Sequence, residues 1–286
     1  MADSAVPLPF VNVLTPAIPA GQPVPAVLIH GWASGSVYWE PLARKLLDAG
    51  REVWIVDLPG YHPGEELPPD FEWTLDSAAA SVAAALDARS AAPAGRSAAP
   101  AARSAAPAGR PAVHLVGHSM GGSVSLTLAA ARPDLVASLT LVGMAPVPQN
   151  QGFKTVLNSQ LDQGFFDSGT IAKLMHAWYG DLSAADMVRL SAGFKTPVQV
   201  LSASAVAAMS GVEPSVPGRV HAPLLVIAGT GDQVRPMEQM RAFVAENPDR
   251  QLQAIPGAGH NVHWEQPEQC AQALTEFWET SWPPPA

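Results

Sequence analysis

Val113-His114-Leu115-Val116-Gly117-His118-Ser119-Met120-Gly121-Gly122 decides how this chain folds. A short apolar run leads straight into Gly-x-Ser-x-Gly, and Ser123 to Arg132 continues with helical spacing until Pro133 stops it. A strand that passes into such a turn and then into a helix is the context of a nucleophile elbow. The serine of an elbow sits on a tight, strained turn, so glycines at 117 and 121 leave room for the backbones that crowd it. The turn lifts the Ser119 hydroxyl clear of the sheet and sets it at a helix N-terminus. There the amides and the dipole favour negative charge developing on a substrate.

Outward from the elbow, other apolar runs share the same character. Ala26 to Ile29, Val53 to Val56, Leu139 to Val142, Leu224 to Ile227 and Leu252 to Ile255 read as short strands bounded by turn residues. Helical patterns separate them: Trp39 to Ala49 ending at Gly50, Thr74 to Ala88 opening near Thr74 or Asp76, and a closing helix from Pro267 to Trp278. Strands alternating with helices predict an α/β fold, a mostly parallel sheet with helices on both faces.

A serine hydroxyl needs a base, and the base needs an orienting carboxylate. Asp232, in Ala228-Gly-Thr-Gly-Asp232-Gln-Val-Arg-Pro236, follows the next-to-last strand and so stands on the ligand-binding side of the sheet. His260, in Ile255-Pro-Gly-Ala-Gly-His260-Asn-Val-His263, follows the last one. His263 competes for the role of base, but it leads into Glu265 and the helix, whereas His260 follows a glycine on the loop itself. The catalytic candidates are therefore Ser119, Asp232 and His260. For the oxyanion, the backbone N–H of Met120 is one donor and the loop His30-Gly31-Trp32 supplies the other through Trp32. His30 is read as shaping that loop, and Asp57 as stabilising its own turn.

Two segments interrupt the alternation. Residues 90–110 hold three near-copies of a seven-residue unit, Ser90-Ala-Ala-Pro-Ala-Gly-Arg96 being the first. A proline in every unit and no large apolar residue exclude a coiled coil and predict a surface loop. Residues 146–219 lack strand runs, hold helical patches at Thr170 to Trp178 and Ala184 to Leu190, and read as a helical cap between two parts of a core domain, 1–145 and 220–286. Phe165, Phe166, Trp178 and Met209 of the cap, with Trp32, are the candidate substrate-binding residues, and such a lid suits an apolar acyl or alkyl group.

Taken together, His30-Gly31-Trp32, Asp57-Leu-Pro-Gly60, Gly117-His-Ser-Met-Gly-Gly122, Gly229-x-Gly-Asp232 and Gly259-His260-x-x-His-x-Glu-x-Pro267 resemble the α/β-hydrolase superfamily over about residues 24 to 145 and 220 to 280. His-Gly-Trp with Val-Asp-Leu-Pro-Gly is also similar to the pimeloyl carrier-protein methyl ester esterases. The resemblance implies the α/β-hydrolase fold and a serine hydrolase acting on a small-molecule carboxylic ester. Dehalogenases and epoxide hydrolases of this fold place an aspartate at the elbow, which Ser119 excludes. Carbon–carbon bond hydrolases, lactonases and cofactor-free perhydrolases remain as alternatives, and so does a non-catalytic ligand-binding protein.

Composition narrows the classes further. With 286 residues, 48% of them apolar and 14% charged, the chain can fill a large core and is not a disordered segment. Its net charge of −9 argues against a nucleic-acid partner. No stretch reaches the roughly 18 uninterrupted apolar residues of a membrane span, and no basic, apolar leader opens the sequence. The single cysteine, Cys270, forms no intrachain disulfide, and a cytoplasmic location is the expectation. The histidines lack metal-ligand spacing, so no metal and no cofactor are expected.

Overall fold

Each apolar run becomes a strand whose alternate side chains enter opposite cores. In β2 (Ala26–Ile29), Val27 and Ile29 join one hydrophobic cluster, and Ala26 and Leu28 the other. The same division runs through β3 (Val53–Asp57), β4 (Val113–His118), β5 (Val136–Val142) and β6 (Leu224–Gly229). Such residues are buried whichever way they point, which is why the runs are continuously apolar. The computed structural model describes residues 6–19, 24–91, 112–147, 158, 160 and 162–281. The repeat expected to loop out at 90–110 lies outside them, save that a helix reaches Ala91.

Seven strands form one sheet in the order β1-β3-β2-β4-β5-β6-β7, with β7 at Arg250–Ile255. All neighbours are parallel except β1 (Phe10–Leu14), which pairs antiparallel with β3. One face carries α2 (Leu75–Ala91) and α3 (Met120–Ala131), through Val82, Leu86, Val124 and Leu128. The other carries α1 (Glu40–Asp48) and the last helix, Pro267–Ser281, through Leu42, Leu46, Leu274 and Trp278. At roughly 1.5–3 kcal/mol for each large apolar side chain buried, the two clusters are the main stabilising term.

Thr74 opens α2 as a reciprocal cap. Its hydroxyl accepts the Ser77 N–H at 3.0 Å while the Ser77 hydroxyl accepts the Thr74 N–H at 2.9 Å. Between β5 and β6 lie α4 (Ser168–Tyr179), α5 (Ala184–Leu190) and α6 (Val198–Ser210). The sequence patterns anticipate α4 and α5 but not α6, nor α7 (Met237–Ala245) after β6. The parallel sheet, flanking helices and nucleophile turn constitute the α/β-hydrolase fold.

Candidate active site

Ser119 stands between β4 and α3 with φ +49° and ψ −117°, a conformation that costs a non-glycine residue energy. What holds it there is close packing beneath. A Cβ on Gly117 would lie 2.4 Å from the Gly121 carbonyl oxygen, and one on Gly121 would lie 2.3 Å from that of Ile29. These glycines have ordinary φ values; the requirement is space. The contact at Gly121 seats the carboxyl end of β2 against the first turn of α3. The loop that leaves β2 through His30 and Gly31 is thereby brought beside the elbow, and Trp32 and Met120 line one cavity with Ser119.

His260 lines the same cavity, and its Nδ1 lies 2.9 Å from Oδ2 of Asp232. The two side chains are 5% and 0% exposed. The other carboxylate oxygen, Oδ1, accepts the backbone N–H groups of Val234 and Arg235 at 2.7 and 2.9 Å, which fixes the carboxylate plane. Asp232 therefore presents Oδ2 to the imidazole, leaving Nε2 of His260 for the cavity that Ser119 also lines. His263 is elsewhere: its ring packs between Tyr38 and Trp39 at centroid distances of 4.4 and 4.2 Å. Burial drives His263 well below the usual histidine range, with the His260 charge adding to the effect.

A hydrogen-bonded chain ties the loop of Gly31 to that of His260. The Gly31 N–H donates to the Tyr38 hydroxyl at 2.5 Å, leaving that hydroxyl to donate to Nδ1 of His118 at 3.2 Å. Nε2 of His118, 3.0 Å from the His260 carbonyl oxygen, then carries the ring proton and donates it there. Burial, the largest cause, pushes His118 well below the ordinary histidine value, which keeps it neutral in this single tautomer. His30 also braces the loop: its Nδ1 lies 2.7 Å from the Gly31 carbonyl oxygen, and its Nε2 accepts the Leu58 N–H at 3.0 Å.

A model of the alpha/beta hydrolase family matches residues 26–273. The chain belongs to that family. Among its relatives is the dihydrolipoyllysine-residue acetyltransferase component of the acetoin cleaving system of Pseudomonas putida, 30% identical, with 88% of this chain and 63% of the relative covered. The chain thus spans less than two thirds of that relative's length. The 2-hydroxy-6-oxo-6-phenylhexa-2,4-dienoate hydrolase of Burkholderia cepacia is 26% identical, with 90% and 88% covered. A thermophilic esterase from Thermogutta terrifontis has the same fold, at a TM-score of 0.74 and 22% identity over 95% of this chain and 93% of that one.

In this α/β hydrolase the helices between β5 and β6 line the cavity, and hydrogen bonds fasten them to the loops of Trp32 and His260. Trp32 Nε1 donates to the Leu201 carbonyl at 2.9 Å, and Asn261 Nδ2 to that of Trp178 at 2.8 Å. Trp32, Trp178 and Met209 line the cavity. Phe166 is one layer back, edge-on to Trp32 at 5.6 Å. Phe165 is 60% exposed and is not among the described residues that line the cavity. Sequence reading passed over Tyr38 and Arg235. Tyr38 has no motif to flag it; Arg235, three residues after Asp232, was open to notice as an arginine amid apolar neighbours.

Proposed function

We propose that the chain is a serine hydrolase that cleaves a carboxylic ester through an acyl-enzyme. The observation that carries this reading is the 2.9 Å contact of His260 Nδ1 with Asp232 in the cavity that Ser119 lines at its strained φ. His260 takes the Ser119 proton as the hydroxyl attacks, and Asp232 holds the imidazole orientation and stabilises the imidazolium. The backbone N–H groups of Trp32 and Met120 receive the oxyanion, the alcohol leaves with the proton from His260, and water repeats the sequence to free the acid. The cavity, about 220 Å³, is small beside the ~300–1,000 Å³ of typical ligand sites, so the acyl group is short.

The test combines labelling with kinetics. A fluorophosphonate should modify the native chain and not Ser119→Ala. Ser119→Ala, His260→Ala and Asp232→Asn should each lower kcat on a short ester by about 10³-fold or more, with double variants hardly worse. Labelling without turnover of any ester would favour the non-catalytic reading. The Burkholderia cepacia relative favours a second one, hydrolysis of an oxo-dienoate at a carbon–carbon bond. Turnover of such a compound above that of esters would establish it.

A further inference from the structure

Arg235 is the one permanently charged side chain among the described residues lining the Ser119 cavity. It is 5% exposed. Its Nη1 donates to the Val147 carbonyl at 2.9 Å, while Nε has no hydrogen-bond partner among the described residues. Asp232 pulls on its charge through space, but the hydrogen bonds of that carboxylate go to His260 and to the backbone N–H groups of Val234 and Arg235. The cavity it lines also holds the apolar Trp32, Leu174, Trp178 and Met209 and the neutral polar Gln233 and Asn261. Burial lowers the Arg235 guanidinium to about 10, against the pull of Asp232, so it stays cationic at neutral pH.

A buried cation is costly unless an anion and hydrogen bonds compensate it. Asp232 offsets part of that cost through space, but no carboxylate among the described residues forms an ion pair with Arg235, and the planar guanidinium is suited to receive one. We propose that Arg235 binds a carboxylate of the substrate, so that the preferred substrate is a short ester carrying a free carboxylate a few bonds from its scissile carbonyl. The proposal rests on the ester reading of Ser119 and narrows it to half-esters of small dicarboxylic acids.

Monomethyl glutarate and methyl 5-methylhexanoate test this, because an isopropyl group replaces the carboxylate with little change of shape. The native enzyme should favour the half-ester in kcat/KM. In Arg235→Gln the ratio of the two kcat/KM values should drop by about 10- to 100-fold, chiefly through KM of the half-ester, with Arg235→Lys intermediate. An unchanged ratio in both variants, or a native enzyme favouring the neutral ester, overturns the proposal. Calorimetric binding of glutarate to Ser119→Ala covers the case in which no ester is turned over. Binding that Arg235→Gln abolishes in that background supports the carboxylate site even though the ester reading has failed. Its absence, or its persistence without Arg235, sinks the proposal.

Discussion

Tyr38 occupies a position that no motif marks, yet it joins the two sides of the site. Its oxygen accepts from Gly31, next to Trp32, and its hydroxyl proton reaches His118, which grips the carbonyl of His260. Tyr38→Phe strands the Gly31 N–H and frees His118 to turn. An unsatisfied buried donor costs about 1–3 kcal/mol, and a loop shift of that origin should disturb the proposed oxyanion donors more than the rest of the cavity. The expected outcome is a fall of about tenfold in kcat with KM little changed, read from steady-state kinetics on a short ester. A rise in KM at constant kcat would show that Tyr38 acts on binding. That His260 lines the Ser119 cavity beside Asp232 follows from its place on the loop. That His263 fills an aromatic slot between Tyr38 and Trp39 was not legible in the sequence, because the slot is assembled from residues more than two hundred positions away.

Among the elements, the β4–α3 turn is the most constrained. At Gly121 an added methyl would meet backbone atoms of Ile29 and His30 at 2.3 and 2.4 Å, and neither can move without shifting β2. Gly121→Ala should therefore cost about 3 kcal/mol or more, beyond the helix-propensity gain of alanine. Urea unfolding measures it; a loss under about 1 kcal/mol would mean that β2 and α3 part easily. Sequence made this turn and its flanking strands legible because parallel strands buried on both faces leave unbroken apolar runs. Strand β1 left no such run. It is an antiparallel edge strand, mostly half-exposed, with Asn12 at its centre. Helix α6 was hidden for another reason: Val198-Gln-Val-Leu-Ser-Ala-Ser-Ala-Val-Ala-Ala-Met is small and apolar almost all round, so no stripe repeats at the helical period. Its core-facing side became definite only when Leu201, Ala205 and Met209 packed over the site.

At the scale of the whole molecule, histidines are built into the interior as neutral groups. His114 stacks on Trp278 at 4.6 Å with Nδ1 2.8 Å from the Ser138 hydroxyl, and burial is the main cause of its lowering to about 3. His118 and His263 lie well below the usual value for the same leading reason, and His30 is lowered despite the opposing pull of Asp57. In the unfolded chain each titrates near 6.5. Below that pH the unfolded state binds more protons than the folded one, so stability is full above about 6.5 and falls as the pH drops. Once the pH is a unit below 6.5, three strongly depressed histidines give a slope of about 4 kcal/mol per pH unit, and His30 adds to it. Glu65, raised by burial, works in the opposite sense, but it is one half-buried group. For a domain stable by roughly 5–15 kcal/mol, such a slope brings acid unfolding to between about pH 5, at the low end of that stability, and about pH 3. Urea midpoints should hold steady from pH 8 to 7, decline through 6, and collapse between about 5 and 3. Stability that changed by less than about 1 kcal/mol between pH 6.5 and 5 would mean that these rings take up protons inside the fold, and that the polar spine joining the loops of Gly31 and His260 is not held neutral.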